Sequence, residues 1–145
     1  TKPVSFARTP RGLRINGRLY RPVAPLPRGA RLTGKYVTQN FFPSPDGGGV
    51  FTQRTYEFTP AGRFTRVGFA GVTFNPPLGQ PGVSVVASSQ GGSAGSYRLN
   101  SAQNILELRF DNGVVRRVFA FVPANSGRLP RPKLLHLSDG DYLPR

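Results

Sequence analysis

Cysteine, methionine and tryptophan are absent from this chain of 145 residues, and histidine occurs once. Without cysteine, the chain has no disulfide, no thiol nucleophile and no thiolate metal site. The compartment stays open, because a chain of this length can be secreted without disulfides. The composition therefore excludes thiol chemistry but fits a secreted, a cell-surface or a cytoplasmic protein.

Acidic residues are scarce: six stand against 20 lysines and arginines, and the net charge is +14. Residues 1–45 hold nine basic residues and no acidic one. A field of one sign attracts a partner of the opposite sign, which is an acidic protein surface, nucleic acid or another polyanion. The candidate partner-binding residues are seven arginines of this segment: Arg8, Arg11, Arg14, Arg18, Arg21, Arg28 and Arg31.

No stretch has the 3.6-residue periodicity of an amphipathic helix, and no run of about 20 apolar residues predicts a transmembrane helix. The 18 glycines and 15 prolines are instead typical of short strands joined by turns. Leu13–Val23 alternates like one half-buried strand that can bend at Asn16-Gly17, whereas Gln90–Gly95 indicates a loop. About eight locally joined strands predict an all-β fold, in which an antiparallel meander closes into a small barrel.

Pro60-Ala61-Gly62 predicts a three-residue turn, because proline sets the first turn angle and glycine accepts a left-handed conformation. The turn joins the strands Val50–Phe58 and Arg63–Phe69. In this register Tyr56 faces Arg66. An arginine opposite a core tyrosine is a candidate anchor for an anion in a barrel cavity, so Arg66 is one predicted site residue.

Asn112-Gly113 predicts a second hairpin, with a two-residue type I′ turn. Leu108 then faces Arg117, and Phe119 and Phe121 point into the core. A loop one residue longer would turn both phenylalanines toward solvent and is disfavoured. The two-residue register places Arg117 on the apolar face, where a charge needs a partner. Arg117 either reaches water at an open end or anchors an anion in the cavity.

The turn and core motifs resemble those of small bacterial lipocalin-like (calycin-type) β-barrel modules. The resemblance covers residues 31–142 and implies a small barrel of about eight strands. Lipocalins proper carry Gly-x-Trp on the first barrel strand, and Gly34-Lys35-Tyr36 is the nearest equivalent here. The matching stretches are Gly17-Arg18-Leu19-Tyr20, Gly34-Lys35-Tyr36, Tyr56–Phe64, Gly95-Ser96-Tyr97 and Leu106–Gly113.

Groups able to do catalysis are few. His136 has no convergent partner in the sequence pattern. Glu57 and Glu107 are predicted on outward strand faces, where they pair with arginines. Asp139-Gly140-Asp141 is typical of a turn. No glycine-rich phosphate loop is present. We therefore predict no enzyme, no catalytic residue, no bound metal and no cofactor.

The predicted organisation is a basic, proline-containing extended arm over residues 1–12, followed by one barrel domain over residues 13–145. The predicted function is that of a non-catalytic structural or interaction module. Through its arm, the module assembles with neighbouring copies or docks on an acidic partner. Two alternatives stay open: a barrel that binds a small apolar or anionic ligand, and an electrostatic binder of nucleic acid or another polyanion.

Overall fold

The computed structural model describes residues 3–20, 23, 26–27, 29–45, 47–74, 84–100, 104–123, 125–138 and 140–145, with side chains except at 73–74 and 84–91. Within these ranges the chain forms eleven strands. Three strands make a small sheet, and the other eight make a closed antiparallel barrel. The predicted all-β class and the eight-stranded meander barrel are confirmed.

The small sheet contains β1 (Phe6–Thr9), β2 (Gly12–Ile15) and β3 (Arg18–Tyr20), with β2 in the centre. Both of its connections are tight antiparallel turns. Asn16 and Gly17 have φ angles of 48° and 80°, the two positive values that a type I′ turn needs.

Two expectations are corrected in this region. The single strand predicted over Leu13–Val23 is wrong, because the turn at Asn16-Gly17 reverses the chain after Ile15. The extended arm is also replaced by regular structure, since Phe6–Thr9 pairs with Gly12–Ile15 as a hairpin. β2 crosses the position of the predicted domain boundary between residues 12 and 13.

The barrel is a sequential meander that closes when its last strand pairs with its first. Four long strands of 10 to 17 residues form one wall and extend beyond four short strands of three to seven residues. The strands are β4 (Gly34–Pro43), β5 (Gly49–Phe58), β6 (Arg63–Phe74), β7 (Ser84–Asn100), β8 (Ile105–Phe110), β9 (Val115–Phe121), β10 (Leu135–Leu137) and β11 (Gly140–Pro144).

The hairpin of β5 and β6 has the predicted register. Phe58 faces Phe64, Tyr56 faces Arg66, and Gly62 has a φ of 83° in the turn. By contrast, the loop predicted over Gln90–Gly95 is wrong, because β7 runs through it without a break.

The hairpin of β8 and β9 differs from its predicted register by one residue. Glu107 faces Arg117, and the loop has three residues, closed by a hydrogen bond from the Phe110 N–H to the Val114 carbonyl. Gly113 has a φ of 86°, whereas Asn112 does not have the positive φ that a type I′ turn requires there. In the observed register Arg117 lies on the outer face beside Glu107, and Arg116 takes the position opposite Leu108. The Arg116 side chain is exposed and keeps its charge in water, while its guanidinium carbon lies 5.8 Å from the centre of the Phe110 ring.

The shift turns Phe119 and Phe121 outward, which the predicted register avoided. Phe119 is 43% exposed. The two rings pack together at 5.5 Å between centroids, and Phe121 also stacks on His136 at 4.5 Å. These contacts cover part of the apolar surface that the shift exposes.

Side chains from all eight strands fill the closed part of the barrel. The aromatic residues pack edge to face and in stacks, with Phe58 touching Tyr97 and Phe64 touching Phe110, both at 5.1 Å between centroids. The described core contains Tyr36, Tyr56, Phe58, Phe64, Tyr97, Leu99, Leu106, Leu108, Phe110, Ala120, Leu135, Leu137 and Tyr142, with Leu26 and Leu32 from the segment that leads into β4.

The hydroxyl of Tyr97 connects the segment that leads into β4 to the core by hydrogen bonds. It accepts a hydrogen bond from the backbone N–H of Leu32 at 2.9 Å and donates to the Leu32 carbonyl at 2.7 Å. The carbonyl of Thr59 lies 3.0 Å from the same hydroxyl. A buried hydroxyl with these partners is satisfied, so the interior gains a fixed contact without an unpaired polar group.

Candidate functional site

The small N-terminal sheet carries arginine and apolar side chains together on one face. Residues that face each other across antiparallel strands point to the same side. Phe6, Ile15 and Arg18 therefore form one row, and Arg8, Leu13 and Tyr20 form the next. We call these six side chains the mixed face.

Three of the four apolar members of the mixed face are exposed to solvent, and the fourth, Ile15, is partly buried. Phe6 is 76% exposed, Tyr20 is 51% exposed and Leu13 is 38% exposed. Within the described ranges, no hydrogen-bonded strand pair connects this sheet to the barrel. The sheet therefore presents apolar surface that the folding of this chain does not bury.

The structure brings four of the seven candidate partner-binding arginines together. Arg8 and Arg18 lie on the mixed face, Arg14 lies on the opposite face, and Arg11 lies in the turn between β1 and β2. All four are exposed. Arg31 is also exposed but lies elsewhere, with its guanidinium next to Gly62 in the turn between β5 and β6. Arg21 and Arg28 lie outside the described residues.

The two candidate cavity anchors have different surroundings. Arg117 lies on the outer face of the barrel, where its Nε is 3.2 Å from a carboxylate oxygen of Glu107. Its side chain is 74% exposed. The prediction that Arg117 lies on the apolar face is wrong, for the reason of register given above. Arg66, in contrast, lies on the inner face opposite Tyr56, as predicted.

Arg66 borders a cavity above the packed core, on the inner side of the long strands. Its guanidinium carbon is 5.9 Å from the centre of the Tyr56 ring, a cation–π distance. The cavity has a volume of about 250 Å³. Its lining residues are Asn40, Thr52, Gln53, Arg54, Arg66, Gly68, Phe69 and Ala70.

Burial changes the acidity of two core tyrosines. Burial raises the pKa of Tyr36 to about 12, although Arg131 opposes the shift. Burial also raises the pKa of Tyr97, against the hydrogen bond from Leu32 and the charge of Arg31. Both side chains therefore stay neutral well above physiological pH, and they act as packing and hydrogen-bonding groups.

The groups considered for catalysis lie apart from this cavity. Glu107 is on the outer face, where it pairs with Arg117 and lies 3.6 Å from Arg109, as predicted for an outward carboxylate. Glu57 is exposed on the outer face of β5. His136 contacts Asp141, with 2.6 Å between Nδ1 and Oδ1. Asp139 lies outside the described residues.

Two features of the site were not predicted. The mixed face depends on a turn at Asn16-Gly17, whose sequence signal is present, but Leu13–Val23 also alternates as one strand. Arg116, next to Arg117, is placed by the register opposite Leu108, with its guanidinium carbon 5.8 Å from the centre of the Phe110 ring. The sequence could not indicate this contact without the correct register.

The described part of the chain is thus an all-β protein, a closed barrel with a small sheet before it. No protein-family model, curated protein or solved structure matches the chain. Among the described residues, no helix is long and apolar enough to span a membrane, and no three His, Asp or Glu residues are grouped as a metal site.

Proposed function

We propose that this protein is a non-catalytic interaction module that docks on an acidic protein surface through the mixed face of its N-terminal sheet. The barrel serves as the stable scaffold that carries this sheet. The observation that supports the proposal most is the exposure of Phe6, Leu13 and Tyr20 between arginines. The meander topology also supports a relation to lipocalin-like modules, which we propose at the level of fold.

The composition of the mixed face is that of a protein interface. Aromatic residues and arginine are enriched at interfaces and carry most of the binding energy, and they are surrounded by smaller contacts. Four of the six side chains on this face are apolar, and two are arginines. A three-stranded sheet of this size gains stability when such a face is covered. A partner therefore supplies the burial that the chain itself does not.

Charge identifies the kind of partner. Residues 1–45 hold nine basic residues and no acidic one, so the surface that covers the sheet must carry acidic groups. A second copy of this chain would bring the same positive field and only six acidic residues. Nucleic acid interfaces are more polar and more cationic than this face, whose centre includes the aliphatic Leu13 and Ile15. An acidic protein matches both the charge and the apolar surface.

Titration of the full chain with defined polymers tests the proposal. We expect a glutamate–tyrosine copolymer to bind more tightly than polyglutamate, because it offers aromatic groups as well as charge. A single-stranded oligothymidylate measures nucleic acid binding under the same conditions. Phe6→Ala should weaken copolymer binding about tenfold, the loss of one interface anchor. Val115→Ala, at a position on the barrel that is 47% exposed, should leave copolymer binding unchanged.

Two outcomes would overturn the proposal. One is tighter binding of oligothymidylate than of the copolymer, which would favour the polyanion alternative. The other is an equal effect of Phe6→Ala and Val115→Ala, which would mean that the polymer follows net charge alone. High salt separates the electrostatic from the apolar contribution to polymer binding, because it weakens the electrostatic contribution and leaves the apolar one.

A further inference from the structure

One edge of β9 is paired over only part of its length. β8 pairs with residues 115–119 of β9 on one side. On the other side β10 pairs with Ala120 and Phe121 and then turns, so within the described residues no strand lies beside residues 115–118 there. We call this stretch the open edge of β9.

The hydrogen-bond pattern identifies the backbone groups that point to the open edge. The N–H of Phe110 donates to the Val114 carbonyl across the β8–β9 ladder. Bonded and non-bonded positions alternate along an antiparallel ladder. Arg116 therefore bonds to β8, whereas Val115 and Arg117 direct their N–H and C=O groups away from it.

The following residues of β9 continue this alternation. The N–H of Phe119 points away from β8 and donates to the Ser138 hydroxyl at 2.6 Å. The N–H of Ala120 points to the β8 side, where it donates to the Asn104 carbonyl at 2.7 Å. Ser138 thus satisfies the donor next to β10, and two N–H and two C=O groups before it are left for a further strand.

Charge determines which strand the open edge accepts. Arg117 lies on the outer face and Arg116 on the inner face, and both are exposed. Glu107 is already shared, at 3.2 Å from Arg117 and 3.6 Å from Arg109. An antiparallel pair of two such edges centred on Arg116 would place that arginine opposite itself, which is destabilising. The open edge therefore disfavours a second copy of this chain and favours an acidic strand.

The side-chain pattern of that strand follows from the two faces of the edge. Its outward positions lie beside Arg117, and its inward positions lie beside Val118, which packs against the core. A strand that continues the barrel wall here has acidic residues outward and apolar residues inward. Nucleic acid has no row of alternating N–H and C=O groups with which to extend a ladder.

We propose that the open edge of β9 binds an extended acidic segment of a partner protein, which adds one strand to the barrel wall. In this mode of recognition, main-chain hydrogen bonds supply affinity and the alternating side chains supply specificity. Val115 and Arg117 provide the main-chain groups. The site is separate from the mixed face and does not depend on the proposed docking function.

Backbone amide NMR of the full chain tests the proposal with a capped hexapeptide of alternating glutamate and valine. We expect saturable shifts of the Val115 and Arg117 amide signals, and a smaller shift of the Arg116 amide, which is bonded to β8. Paired residues point to the same side, so the glutamates, opposite Arg117, direct their N–H groups to the edge. N-methylation of the glutamates should weaken binding at least tenfold, whereas N-methylation of the valines is the matched control and should leave it unchanged.

Val115→Pro tests the same contact from the protein side. Val115 is the first residue of β9, and its N–H takes no part in the ladder with β8, so proline removes an edge donor at a position that strands tolerate. Hexapeptide affinity should fall about tenfold. Val115→Thr keeps the N–H and the branched shape, and it should bind normally. Phe6→Ala should also bind normally, which distinguishes the open edge from the mixed face.

Three outcomes would overturn the proposal. Equal effects of the two N-methylated peptides would mean that no ladder forms. Tighter binding of a lysine–valine hexapeptide would contradict the acidic assignment. Saturable shifts confined to residues 6–20 would place the peptide on the mixed face instead. If Val115→Pro failed to fold, the pair of N-methylated peptides with the unmodified chain would still decide the matter.

Discussion

The barrel and the N-terminal sheet are built from the same kinds of element, antiparallel strands joined by tight turns. They differ in how far they bury their apolar residues. Leu106 and Leu108 in the barrel have no exposed surface, whereas Phe6 in the sheet is 76% exposed. Burial of apolar surface is the main source of folding stability. The barrel is therefore stabilised by the burial of its own apolar residues, whereas the apolar residues of the sheet stay exposed, as the proposed docking function requires.

The sharpest test of this difference is a matched pair of leucine truncations. Leu106→Ala opens a cavity in the filled core and should lower the free energy of unfolding by about 2–5 kcal/mol. Leu13→Ala removes an exposed side chain of the sheet and should change it by less than about 0.5 kcal/mol. Urea unfolding followed by tyrosine fluorescence measures both. Equal losses would mean that the sheet packs as part of the same core.

A second pair compares two tyrosine hydroxyls. Tyr97→Phe leaves the buried N–H of Leu32 without its acceptor, at a cost of about 1–3 kcal/mol. Tyr20→Phe alters a half-exposed residue of the sheet and should have no measurable effect on unfolding. Circular dichroism melts of the two variants provide the measurement. A stable Tyr97→Phe protein would show that the segment before β4 is held by packing alone.

The third and smallest effect concerns two glycines in open turns. Gly113 and Gly17 have φ angles of 86° and 80°, and a Cβ at either would meet no neighbouring atom. Alanine at Gly113 should therefore cost only the backbone strain, about 1–2 kcal/mol, and lower the barrel melting temperature. Alanine at Gly17 strains the sheet alone and should leave the barrel transition in place. A shift of that transition by Gly17→Ala would contradict the separation of the two regions.

The two Asn-Gly pairs show how far local turn chemistry can predict structure. Asn16-Gly17 forms the two-residue type I′ turn, and Asn112-Gly113 forms part of a three-residue loop. Local preference is the same at both places. At the second pair, the three-residue loop brings Arg117 beside Glu107 within the hairpin and Phe121 beside His136 of β10. The second contact becomes visible only when β9 and β10 are placed side by side.

Where the deciding contacts are local, prediction succeeds. The β5–β6 register, and with it Arg66 opposite Tyr56, follows from one turn and one pair of facing phenylalanines. The course of β7 through Gln90–Gly95 depends on a contact between strands. A Cβ at Gly95 would overlap the carbonyl oxygen of Arg109, so glycine here permits close pairing with β8. In the sequence, the same glycines indicate a loop.

Hydrogen exchange on the full chain, with and without the glutamate–tyrosine copolymer, tests most directly whether the N-terminal sheet is the docking surface. We expect slower exchange of the amides in residues 6–20 when the polymer is bound, and unchanged exchange in β5, β6 and β8. Protection confined to the barrel, or no protection at saturating polymer, would contradict docking through the sheet.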